Sequence, residues 1–97
     1  MDQRLYIVTY DISDQRRWRR VFKLMKGYGE WVQLSVFQCR LSREQHAELV
    51  SLLDGIIHHG EDHVLLLDFG NADHIAPHVV SLGKADFSPI EQAPIIV

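Results

Sequence analysis

Apolar residues recur along this chain with two different periods, and the changes of period divide it into short elements. Arg4–Tyr10 (R-L-Y-I-V-T-Y) is rich in β-branched and aromatic residues, which predicts a strand ended by Asp11. From residue 14 to about 28 the period lengthens. Trp18, Val21, Phe22 and Met25 fall at i, i+3, i+4 and i+7, the stripe of an amphipathic helix. Ser13 and Asp14 supply its N-cap and first-turn acid, and Gly27 and Gly29 end it. Trp31–Leu41 reads as extended but is too long for one simple strand, so a kink near Ser35 is expected to split it in two. Ser42 and Gln45 form a capping box ahead of a helix whose stripe is Leu49, Val50, Leu53, Ile56 and Ile57, ending near His58–Gly60. His63–Phe69 predicts another strand, His78–Leu82 a short one, and Pro94–Val97 an extended tail.

The order β-α-β-(β)-α-β-β predicts an α+β fold, a ferredoxin-like β-α-β-β-α-β sandwich with extra C-terminal strands and both helices on one face of an antiparallel sheet. Ninety-seven residues without repeat, low-complexity tract or linker make a single domain, 1–97, in which residues 84–97 form a C-terminal tail.

A sheet covered on one side should alternate apolar and polar residues, and these strands do not. Leu5 and Ile7 oppose Tyr6, Val8 and Tyr10, while Val64 and Leu66 oppose Leu65, Leu67 and Phe69. Two helices cover one face only. A second copy is the simplest cover for the other, so a homodimer is expected, with the tail packing on the partner and Ile95–Val97 pairing with its sheet edge. The alternative is a monomer in which residues 70–97 fold back over that face.

Composition is globular, 46% hydrophobic and 24% charged, and the net charge of -3 points to no partner by itself. Its distribution does. Residues 1–43 hold nine of the ten basic residues against four acids, whereas residues 44–97 hold Lys84 alone against nine acids. One surface is therefore expected to meet an anionic partner. Cys39 is the single cysteine, which excludes an intramolecular disulfide. The opening residues resemble neither a signal peptide nor a membrane span, so a cytoplasmic protein without membrane association is expected.

Asp11 stands at a strand end just before a helix. A carboxylate there suits a hard cation such as Mg²⁺, and two-fold symmetry would bring a second copy to complete the site. It could equally cap the helix. Arg16, Arg17, Arg19, Arg20, Lys23 and Lys26 form the densest basic cluster. Arg16, Arg19, Arg20 and Lys23 lie opposite the apolar stripe, with Arg17 at its margin toward Asp11, a face fit for phosphate. Phe37 is a candidate to stack a base, against the commoner role of a core aromatic. The histidines, all after residue 45, lack the cysteines or helical spacing of a zinc site.

Three blocks carry a family resemblance: Y-I-V-T-Y-D-I-S-D at 6–14, R-R-W-R-R-V at 16–21, and L-M-K-G-Y-G-E-W-V-Q-L-S-V-F-Q-C-R-L at 24–41. D-H-V-L-L-L at 62–67 and V-V-S-L-G at 79–83 match more loosely. The chain resembles the small CRISPR-associated spacer-acquisition protein family, partner of the CRISPR integrase. The resemblance implies a ferredoxin-like homodimer whose two copies of Asp11 face each other and bind Mg²⁺. It also implies metal-dependent endonuclease activity on RNA or DNA in some members, and an architectural role in which the dimer bridges two integrase dimers and holds the duplex to be inserted. Arg16, Arg17, Arg20 and Phe37 fall at the family's functional positions. Trp31 stands where many members have Arg, so any phosphate contact made by that Arg does not carry over, and Trp31 is expected to stack or pack instead.

Two functions follow as expectations. In one, the protein is an Mg²⁺-dependent endonuclease of the adaptation stage, Asp11 holding the metal and Arg17 or Arg20 gripping the scissile phosphate. In the other, it is a non-catalytic DNA-bridging adaptor of the integrase, retaining DNA through its basic helix. A regulatory module binding a small ligand ranks below both, since no ligand-specific motif accompanies the basic helix.

Overall fold

A computed structural model describes residues 2–83. Strand β1 (Arg4–Asp11) leads into helix α1 (Gln15–Lys26), then strands β2 (Glu30–Gln33) and β3 (Val36–Leu41), helix α2 (Arg43–Ile56) and strand β4 (His63–Asn71), closed by a single 3-10 turn at Ala72–His74. The sheet order is β2-β3-β1-β4, every neighbouring pair antiparallel. This is the ferredoxin-like sandwich expected from the element order.

Local chemistry sets the boundaries. Asp14 itself caps α1, its carboxylate accepting from the Arg17 N–H at 3.0 Å, and the first turn holds no acid. Ser13, expected to share that role, instead donates its backbone N–H to Asp62. Gly27 closes the helix in right-handed geometry, so no left-handed glycine is needed there. Gly29 is required by space, because a Cβ would lie 2.4 Å from the Cys39 sulfur and 2.6 Å from the Gln38 carbonyl oxygen. The kink expected near Ser35 is a hairpin turn. Leu34 takes a left-handed φ of 43°, and Ser35 ties the turn inward through Tyr10 N–H to its carbonyl (3.2 Å) and Trp18 Nε1–H to its hydroxyl (3.0 Å). The capping box of α2 is complete, with Gln45 N–H on Ser42 Oγ and Ser42 N–H on Gln45 Oε1.

Register sorts the side chains by face. In β1–β3, Tyr6 pairs with Cys39 and Val8 with Phe37; in β1–β4, Val8 pairs with Leu66 and Tyr10 with Val64. These residues face the helices and pack with Val21, Met25, Leu49 and Leu53 into one core. Val50, read as part of the α2 stripe, is exposed, because at 100° per residue it lies well off the direction shared by Leu49, Leu53 and Ile56, which pack toward the sheet. The other face carries Leu5, Ile7, Thr9 and Asp11 of β1 and Leu65, Leu67 and Phe69 of β4. Leu65, Leu67 and Phe69 remain 45%, 43% and 53% exposed.

The strand expected at His78–Leu82 is absent: residues 75–82 enter no ladder. After the 3-10 turn the chain leaves β4 and reaches the far edge, where Val79–Leu82 line a cavity of about 230 Å³ with Val32 and Gln33 of β2. It lies beside that edge without joining its ladder, and a segment without a hydrogen-bonded neighbour is no strand. This crossing partly realises the fold-back alternative, yet it leaves the β4 side chains uncovered. The expected tail strand, Pro94–Val97, lies outside the described residues.

Candidate functional site

Asp11 is the last residue of β1, and strand alternation places its side chain with Ile7 and Thr9 on the face turned away from the helices. It is exposed, and among the described residues its carboxylate has no hydrogen bond or ion pair. Asp14 caps the helix, so the capping alternative for Asp11 is removed. The ladder ends there too, with Asp11 directly opposite His63 of β4. Cross-strand partners point to the same face, so a carboxylate and an imidazole share the rim of an otherwise apolar surface.

The loop between Asp11 and α1 is fixed by a buried carboxylate that the sequence reading missed. Asp62, its side chain fully enclosed, accepts from Arg17 Nε at 2.7 Å, from His58 N–H at 2.7 Å and from Ser13 N–H at 3.0 Å. The Arg17 hydrogen bond, helped by those two amides, holds the Asp62 carboxyl well below the usual carboxylate range despite its burial. Arg17 also donates to Glu61 at 3.2 Å. Its guanidinium is thereby committed to joining α1 to the start of β4, and the phosphate grip expected of it gives way to positioning the segment beside Asp11. Arg4 is likewise paired, with Asp68 at 3.0 Å.

Arg16, Arg19, Arg20 and Lys23 differ. They are exposed along one side of α1, and none of them makes an ion pair among the described residues. Lys26 continues the row, its ammonium 5.5 Å from the Phe22 ring. This face looks away from the sheet, whereas Asp11 lies on the sheet's opposite side. The structure thus separates what the sequence had joined: the arginines of the outer α1 face, Arg16 and Arg20 among them, and the strand-end carboxylate occupy opposite sides of the described protomer.

Phe37 is fully buried, its ring 5.6 Å from Phe22 and 6.4 Å from Tyr10. No base can reach it, which corrects the stacking role; its position on β3 opposite Val8 makes it central to the core. Trp31 packs edge-on to Phe22 and donates Nε1–H to the Leu34 carbonyl at 2.9 Å, so it pins the β2–β3 hairpin. Among the described residues no three His, Cys, Asp or Glu side chains gather closely enough to hold a metal ion within one chain. Among them, too, no helix is long and apolar enough to cross a membrane.

The chain is similar to known proteins in both sequence and fold. Residues 4–74 match the family described as CRISPR associated protein Cas2. The chain is 53% identical over 95 residues to a protein of Geobacter sulfurreducens named CRISPR-associated endoribonuclease Cas2, covering 98% of this chain and 99% of the relative. A Rhodospirillum rubrum protein of the same description is 52% identical over 92 residues, covering 95% and 89%. A crystal structure titled cas2 superposes with a TM-score of 0.72 at 36% identity, covering 91% of this chain and 98% of that one. A hypothetical protein from Thermus thermophilus gives 0.71 at 35%, covering 84% and 93%.

Proposed function

The chain belongs to the CRISPR-associated Cas2 family, and from that premise we propose that it is a metal-dependent endonuclease that hydrolyses phosphodiester bonds at Asp11. RNA is the first substrate to try, since the Geobacter and Rhodospirillum relatives are named endoribonucleases. The observation that carries this reading is the state of Asp11, an exposed strand-end carboxylate with no hydrogen-bond or ion-pair partner among the described residues. Ordinary structural acids of this fold, Asp14 and Asp62, are fully engaged.

One carboxylate is a poor site for Mg²⁺, which favours oxygen donors and keeps several waters. The donor set fits when the half-exposed Leu65, Leu67 and Phe69 are buried against a second copy. A homodimer formed through this face duplicates Asp11 on the same surface. When bound between the pair, Mg²⁺ would acidify water and neutralise charge building on the phosphate. The protein's own contribution is positional. Strand β1 presents Asp11, and the Arg17–Asp62 pair holds the loop behind it. Cleavage and binding assays on RNA and duplex DNA with Mg²⁺ or EDTA test this. Asp11→Ala should lose cleavage and keep binding, and cleavage equal to wild type would overturn it.

A second reading rests on the basic face of α1. Arg16, Arg19, Arg20 and Lys23 suit a phosphate backbone and lie apart from Asp11. In this role the dimer holds duplex DNA and bridges CRISPR integrase dimers during insertion of new spacers in the cytoplasm. Arg16→Glu with Arg20→Glu should abolish DNA retention and spacer acquisition while Mg²⁺-dependent RNA cleavage persists. Acquisition surviving the double change would overturn the bridging role.

A further inference from the structure

The final rung of the β1–β4 ladder places His63 directly opposite Asp11. In an antiparallel pair such side chains leave the same face with Cβ atoms about 5 Å apart. Both residues are exposed, and neither forms an ion pair with the other. The gap between carboxylate and imidazole is therefore open to a third species. The surrounding face sharpens the point. Moving along the ribbon, the rung Ile7–Leu67 is apolar, Thr9–Leu65 is mixed, and Asp11–His63 is wholly polar. An unpaired carboxylate next to an unpaired imidazole, at the rim of an apolar surface, is an arrangement that packing does not require.

Of the five other histidines, three are occupied. His46 stacks on Tyr6 at 4.4 Å, His58 accepts the Gly60 N–H on Nδ1, and His59 lies 3.2 Å from the Asp54 carboxylate. His63 has no comparable partner among the described residues, and it alone of these stands beside Asp11.

We propose that His63 is a second protein donor to the cation held by Asp11, and that its imidazole biases the site toward Mn²⁺ over Mg²⁺. This rests on the reading that Asp11 binds a divalent cation. The chemistry is that of ligand softness: carboxylate and water serve Mg²⁺ and Mn²⁺ alike, whereas imidazole nitrogen adds affinity for first-row transition ions and almost none for Mg²⁺. Each protomer contributes one oxygen donor and one nitrogen donor, so two copies of the face supply four. His63 is exposed and lies outside the hydrophobic core cluster, so its replacement is expected to leave the fold intact.

The experiment uses the full chain without nucleic acid. Mn²⁺ binding is followed by loss of the free-ion electron paramagnetic resonance signal, and Mg²⁺ binding by competition. In parallel, the His63 ring resonances of the wild type are watched for broadening at substoichiometric Mn²⁺, a readout that needs no variant. His63→Gln should weaken Mn²⁺ by about tenfold or more and leave Mg²⁺ unchanged. His59→Gln should bind like wild type, and Asp11→Asn should lose both ions. Unchanged Mn²⁺ affinity in His63→Gln, or an unbroadened His63 ring, overturns the role of His63 while the Asp11 site stands. Wild-type binding by Asp11→Asn overturns the Asp11 site and this inference with it.

Discussion

Replacing Phe37 separates its role as a core aromatic from the base-stacking role that its sequence context suggests. The ring is fully buried between Phe22, 5.6 Å away, and Tyr10, 6.4 Å away, at the centre of the β1–β3 pairing. Truncation to alanine at such a site costs about 3–5 kcal/mol. A domain of this size has about 5–15 kcal/mol in all, so Phe37→Ala is expected to be only marginally folded. Phe37→Leu is the better probe. It keeps most of the volume and should cost about 1–2 kcal/mol, lowering the melting temperature by roughly 4–16 °C. Nucleic-acid affinity, measured by fluorescence anisotropy well below that temperature, should match wild type. A base-stacking residue behaves in the opposite way. Loss of one stacked base weakens binding by about 1–3 kcal/mol, or roughly 5- to 150-fold, with little change in melting. Phe37→Leu that melts like wild type and binds fivefold or more weakly would refute the assignment of this ring to the core.

Two further substitutions probe the packing of the fold and the loop behind Asp11. Gly29→Ala places a methyl group against the Cys39 sulfur and the Gln38 carbonyl, and urea unfolding should show a loss of about 1–3 kcal/mol. The Asp62 carboxyl has a folded pKa below its unfolded value, so its stabilising effect is fully present above the unfolded value of about 4 and fades as pH falls through the folded one. Asp62→Asn should therefore be less stable than wild type at pH 7, with the difference narrowing in melts taken progressively below pH 4.

Much of the architecture was legible because local chemistry wrote it. The β-branched run of β1, the Ser42–Gln45 box and the stripe of α1 each act over a few residues, and each yields the element it suggests. Asp11 was legible as an unusual acid for the same reason. What stayed hidden depends on residues distant in sequence. Arg17 looked free because Asp62 and Glu61 lie more than forty positions away, joined to it only when β4 docks beside β1. Phe37 could be assigned to the core only after register set it opposite Val8. The opposition of Asp11 and His63 is again a matter of register, invisible to any local motif. The strand expected at 78–82 is not formed: Val79 and Val80 have the right propensity and lie near the open edge of β2, but residues 75–82 enter no ladder.

The sheet face left half-exposed among the described residues is what the account depends on most. Sedimentation equilibrium at micromolar concentration should give about twice the 11.2 kDa chain mass for the wild type, and Leu67→Asp, which puts a charge at the middle of that face, should give a single chain that no longer cleaves RNA with Mg²⁺. A wild-type chain that sediments alone, or a Leu67→Asp monomer that cleaves at the wild-type rate, would contradict it.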